Sequence, residues 1–147
     1  MGVKVLSGIE IADKIEAKVP GSIVESSHAE ILIDSRAVAS VLHVLKESPE
    51  FDFNYLNSLT AVDYYDYFEV IYHLTSMKNN QTVTVKARVA GRENPELPSI
   101  NQLWRGADFQ EREVFDLLGI RFSGHPNLKR IALWEGFEGH PLRKDFL

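Results

Sequence analysis

Cysteine is absent from the 147 residues. That excludes disulfides, thiolate-bound metal and cysteine-ligated iron–sulfur clusters in this chain, and it suits a reducing compartment. No apolar run approaches the roughly 20 residues of a membrane span. The opening Met1-Gly2-Val3-Lys4-Val5-Leu6 lacks an apolar core of signal-peptide length. The expectation is a soluble, cytoplasmic protein that meets a membrane only through partners. Several chemical signatures are also missing. There is no GxGxxG or GxxxxGK[ST] for a nucleotide, no HExxH for zinc and no GxSxG nucleophile elbow. Repeats of solenoid length and low-complexity tracts do not occur.

What is present suffices for a packed core. Hydrophobic residues make up 44% of the chain and aromatics 10%, which rules out a disordered composition. The length is that of one domain, or one domain with a docking tail. The formal charge of −5 divides unevenly, +2 over residues 121–147 and −7 over the rest. An acidic body argues against nucleic acid as the main ligand. A mildly basic tail suits an acidic protein surface.

Read in order, the chain predicts helix, two strands, helix, three strands, helix and tail. Ser7 and Glu10 form a capping box, with Leu6 and Ile11 as a hydrophobic staple, and Pro20-Gly21 stops the first helix. Residues 22–26 and 30–34 read as a hairpin. Asp34-Ser35 caps a second helix whose Val38, Val41, Leu42 and Leu45 share one face, and Ser48-Pro49 ends it. Residues 55–59 are ambiguous, 59–64 read as a strand, and Tyr67–Thr75 and Thr82–Ala90 alternate apolar and polar residues. These three strands form an antiparallel meander. Ser99 with Gln102 reads as a second capping box opening the third helix, which ends at Gly119. The fold class is α+β: a mostly antiparallel sheet of about five strands, two to three packed helices and an irregular C-terminal docking tail. Residues 1–98 form the scaffold, and residues 99–147 form the C-terminal helix and tail as one unit.

The third helix carries Glu111, Arg112, Glu113 and Asp116. Asp108, Arg112 and Asp116 lie at i, i+4 and i+8, an arginine between two carboxylates. As a solvated face, such pairs contribute only about 0.3–0.5 kcal/mol each. Glu111, however, shares a stripe with Trp104 and Phe115, which is odd for a solvated face and favours a buried network at an interface. Glu111 and Glu113 point roughly 200° apart on a helix and cannot act as a carboxylate pair. His125 and His140 sit in two Gly-His-Pro turns. No third ligand stands at a metal-binding spacing, and histidines in such turns commonly bond local backbone. Residue chemistry alone yields a small scaffold with a charged, aromatic helix and a turn-rich tail, and no catalytic constellation.

Three ordered motifs add more. They are Glu111-Arg112-Glu113-x-x-Asp116-Leu117-Leu118-Gly119-Ile120, then Phe122-x-Gly124-His125-Pro126-x-Leu128-x-Arg130-Ile131, then Gly139-His140-Pro141-Leu142-Arg143-Lys144-Asp145-Phe146. The chain resembles the 30 kDa subunit family, also called the C subunit family, of respiratory complex I, the proton-pumping NADH:quinone oxidoreductase. The motifs cover about a quarter of the chain. The resemblance implies a non-catalytic structural subunit of the peripheral arm, on the cytoplasmic side of the cell membrane. Its partners would be the large quinone-site subunit, called D, and the B and I subunits, with the membrane reached only through the complex. NADH, FMN, iron–sulfur clusters and quinone would belong to those partners, and no cofactor to this chain. The implied interface residues are Glu111, Arg112, Glu113, Asp116, His125, Pro126, Arg130, His140, Pro141, Arg143, Lys144 and Asp145. Related subunits serve membrane-bound hydrogenases and dehydrogenases using ferredoxin or a deazaflavin, so these are alternative parent complexes. A free-standing hydrolase using Glu111 or His125 is the rival from another class, and it predicts a concave pocket with converging polar groups around those residues and a measurable activity of the isolated chain.

Overall fold

The computed structural model describes residues 4–5, 8–28, 30–126, 128 and 139–144. Strand β1 (Lys4–Val5) leads to helix α1 (Gly8–Lys18), strands β2 (Ile23–Ser26) and β3 (Glu30–Ile33), and helix α2 (Val38–Glu47). Then come β4 (Tyr55–Asp63), β5 (Tyr67–Ser76), β6 (Gln81–Ala90), β7 (Glu96–Pro98), α3 (Ala107–Leu118) and β8 (Arg121–Ser123). The architecture is α+β, as the element order predicts. The proposed Ser7 cap and Leu6 staple lie outside the described residues.

The main sheet runs β2-β3-β6-β5-β4, with β1 also beside β6. The meander is antiparallel, Tyr72 opposite Leu59 on one side and Val85 on the other. The β2–β3 hairpin joins it through a parallel β3–β6 pairing. Strand β4 begins at Tyr55, so the ambiguous stretch is strand, and a bulge between Leu56 and Ser58 resets its alternation.

One sheet face is the core. Phe68, Val70, Tyr72, Leu74, Val83, Val85 and Ala87 are buried there against Ile11 and Ile15 of α1 and Val38, Val41, Leu42 and Leu45 of α2. Each such aliphatic or aromatic side chain contributes about 1.5–3 kcal/mol by leaving water. On the other face Glu69 is buried too. Lys86 (3.5 Å) and Arg88 (3.1 Å) pair with it and cover it.

Two helix starts differ from the sequence reading. Asp34 accepts from the Arg36 N–H (2.8 Å) and caps a 3-10 turn, Ser35–Ala37, from which α2 continues. Ser99 does not open α3, which begins eight residues later at Ala107 with Gly106 before it. The Ser99 hydroxyl instead donates to Glu111 Oε1 (2.6 Å) and the Ile100 N–H to Glu111 Oε2 (2.9 Å). A carboxylate that lies later on the helix thus captures the would-be cap. Residues 99–104 form turns, with the Trp104 N–H on the Ile100 carbonyl (3.2 Å). A small parallel pair, β7–β8, closes beneath them.

Candidate functional site

Helix α3 is the spine of the site. Its Glu111 lies at the centre of the buried side, where Ala107, Val114 and Leu118 pack into the core. Glu111 has no exposed surface, and both its oxygens accept bonds from the 99–100 turn. Burial raises its pKa above the ordinary glutamate value, opposed by the Ser99 and Ile100 bonds. The neighbouring Tyr72 hydroxyl is also pushed well up, by burial and then by the Glu111 charge. That hydroxyl has no hydrogen-bond partner among the described residues.

The first Gly-His-Pro turn closes over this cluster. The His125 side chain is buried, with Nε2 2.9 Å from Asp108 Oδ1, 3.3 Å from the Asp108 carbonyl and 3.9 Å from Glu111 Oε1. Close approaches to the Asp108 carboxylate and carbonyl therefore fix this imidazole against the first turn of α3.

The second Gly-His-Pro segment completes the other end of the helix. A helix leaves its last four carbonyls without intrahelical donors, and in α3 these belong to residues 115–118. Gly119 turns left-handed (φ 78°), and its N–H reaches the Phe115 carbonyl at 2.8 Å. His140 Nδ1 donates to the Asp116 carbonyl (2.9 Å), the Leu142 N–H to Leu117 (2.9 Å), and Arg143 Nε to Leu118 (2.5 Å). All four carbonyls are satisfied, three of them by residues 140–143. The imidazole and guanidinium also stand at the negative end of the helix dipole. Residues 139–144, expected as a tail offered to a neighbour, are thus engaged with their own domain.

A second anchor holds the same segment. Asp63, 4% exposed at the end of β4, takes a bidentate pair from Arg92 (2.8 and 2.7 Å). It also accepts from the backbone N–H of Tyr65 (2.7 Å) and of Lys144 (2.9 Å). The Arg92 guanidinium holds the Asp63 carboxyl well below the usual carboxylate range, against burial and with help from the Lys144 and Tyr65 N–H groups. Arg143 Nη1 donates to the Arg92 carbonyl (2.8 Å). Both guanidinium carbons lie 5.1 Å from the buried Phe68 ring.

Of the residues singled out from sequence, Glu111 and Asp116 are fully buried; this corrects the solvated-face reading for Asp116, while Glu111, whose stripe already spoke against such a face, is buried within the domain. Arg112 is half-buried and Glu113 exposed. His140, Pro141 and Arg143 are half-buried around the helix end, while Pro126 and Lys144 are exposed. Arg130 and Asp145 lie outside the described residues. Sequence reasoning missed Ser99 as a Glu111 ligand, and it missed Asp63, Arg92 and Phe68 entirely. One signal for Asp63 was available: alternation from Leu59 puts it on the core side. Among the described residues no group of three or more His, Asp or Glu side chains could hold a metal ion. No helix among them is long and apolar enough to cross a membrane.

Comparison with known proteins gives a consistent set of likenesses. Residues 31–147 match the family model described as respiratory-chain NADH dehydrogenase, 30 Kd subunit. The chain is 39% identical over 147 residues to the NADH-quinone oxidoreductase C subunit of Roseiflexus sp. (strain RS-1), covering 95% of this chain and 84% of that protein. It is 50% identical over 105 residues to the NADH-quinone oxidoreductase C 2 subunit of Rhizobium etli (strain CIAT 652). That match covers 69% of this chain but 55% of the Rhizobium protein, so the chain spans little more than half of that relative. Among solved structures, it is similar to a chain of the membrane-bound sulfane sulfur reductase, an archaeal respiratory membrane complex. The TM-score is 0.74 at 25% identity, over 94% of this chain and 84% of that one.

Proposed function

The chain belongs to the respiratory-chain NADH dehydrogenase 30 kDa subunit family, and on that premise we propose that it is a non-catalytic structural subunit of a complex I-type NADH:quinone oxidoreductase. It docks on the large quinone-site subunit, beside the B and I subunits, at the inner face of the membrane. NADH, FMN, iron–sulfur clusters and quinone are carried by those partners, and the isolated chain turns over nothing. Arg112, Glu113, Pro126 and Lys144 supply contact surface, and Arg130 and Asp145 join the interface as their motif positions imply. Glu111, Asp116, His125, His140, Pro141 and Arg143 support that surface from beneath.

The supporting observation is how the motif residues are used. Glu111 and the His125 side chain have no solvent-exposed surface, and Glu111 is held at both oxygens. A hydrolase built on them would need an open approach for water and substrate. The motifs are instead spent on fixing the ends of one helix and the segment beside it, as a rigid docking face requires. The likeness to a chain of the sulfane sulfur reductase favours a second reading, the equivalent subunit of a related respiratory complex.

Purification of a chromosomally tagged copy from native membranes tests both. Recovery of the large quinone-site subunit with NADH-dependent quinone reduction is the expected result. Recovery in a complex lacking that activity selects the second reading. Full abundance in a partner-free soluble pool overturns both.

A further inference from the structure

We propose that the notch between β4 and α3 receives one lysine or arginine side chain from a neighbouring subunit; this rests on the docking role argued above. The notch has a volume of about 170 Å³ and eight lining residues, six of them apolar: Leu59, Ala61, Val114, Leu117, Leu118 and Leu142. Thr60 and the Glu113 carboxylate complete it.

Its walls are tied together. The Gln110 side-chain oxygen accepts from the Leu59 N–H (2.5 Å), fastening α3 to the sheet-edge strand. The Leu142 N–H bonds the Leu117 carbonyl, which holds Leu142 over the helix with 60% of its surface exposed. A large aliphatic side chain pinned by its backbone in an exposed position is a ready-made contact.

The chemistry selects the occupant. Glu113 is exposed, and among the described residues it has no hydrogen bond or ion pair. A purely aliphatic occupant would fill the notch and strand that carboxylate in a drying interface. A lysine or arginine satisfies both parts, its methylene stem against the leucines and its cationic head on Glu113. The space is below the roughly 300–1,000 Å³ of small-molecule sites, and fits a single long side chain.

The test uses the assembled complex from native membranes. Glu113→Lys, which places like charges together, is expected to lower retention of this chain in the purified complex at least tenfold. Glu113→Gln should lower it a fewfold. The thermal midpoint of the isolated chain should be unchanged in both. A benzoylphenylalanine at the exposed Thr60 of the same notch, with Glu113 kept, should cross-link to one partner segment containing a lysine or arginine, and exchanging that residue for glutamate should rescue Glu113→Lys. Wild-type retention of both variants, a cross-linked segment without a basic residue, or no cross-link overturns the proposal while leaving the docking role intact. Absence of the wild-type chain from any complex defeats the docking role itself.

Discussion

Asp63 and Glu111 are both buried carboxylates, yet they are stabilised in opposite ways. Asp63 faces a guanidinium and two backbone N–H groups, and its pKa is lowered. Glu111 has its oxygens on a hydroxyl and a backbone N–H, and its pKa is raised because burial outweighs those bonds. The first site needs its charge, because the bidentate pair with Arg92 depends on it. The second needs its geometry, since an acceptor pair holds the 99–104 turn against α3. The two anchors hold different parts of one face. Asp63 fixes the segment after the second Gly-His-Pro, and Glu111 fixes the turn near the first.

Replacing each acid by its amide sharpens the contrast. Asp63→Asn keeps the shape but removes the buried charge from the bidentate pair with Arg92, and should cost about 3 kcal/mol in denaturant unfolding. The wild-type advantage also has a pH signature. Because the folded pKa is depressed, the contribution is full above the usual aspartate value of about 3.9 and disappears as pH falls through the folded value. Unfolding curves of wild type and variant should therefore converge on acidification.

Gly119→Ala tests the helix end that the second Gly-His-Pro segment and the Asp63 anchor hold. Its positive φ is strained for alanine, and an added Cβ would lie 2.7 Å from His140 Cδ2 and 2.8 Å from Arg143 Nη2. The expected loss is about 2 kcal/mol. The Leu142 and Arg143 amides should exchange hydrogen faster than in wild type, while those of β5 and β6 keep their relative protection.

Glu111→Gln should be the mildest change, under about 1 kcal/mol. The amide oxygen can accept from the Ile100 N–H while its NH₂ donates to the Ser99 hydroxyl. The sign of its pH dependence opposes that of Asp63. Since the folded pKa of Glu111 is raised, wild-type stability declines as pH rises above about 4.3, and the decline stops beyond the folded value. Glu111→Gln should remove that component from the stability-versus-pH curve.

Much of the fold was legible because its cause is local. Alternation in Thr82–Ala90 puts Val83, Val85, Ala87 and Val89 inward, and all four are buried. The apolar face of α2 and the left-handed stop at Gly119 were equally visible. The false start of α3 shows the limit. Ser99 and Gln102 have the local form of a capping box, but Glu111 competes for Ser99 from 12 residues away. The candidate site was legible as a set of residues rather than as a set of bonds. His140 could be singled out in its turn, but nothing nearby in sequence indicated the Asp116 carbonyl.

Periods of 2 and 3.6 in the order of residues were enough to assign strands, helices and the inward face of each, since those depend on neighbours a few positions apart. The fate of each charge was decided only when the chain closed on itself. Lys144 reaches Asp63 across 81 positions and Arg143 reaches Arg92 across 51. Whether a carboxylate is neutralised by an arginine or merely desolvated depends on such distant approaches, because Coulomb and hydrogen-bond energies follow separation in space and not along the chain.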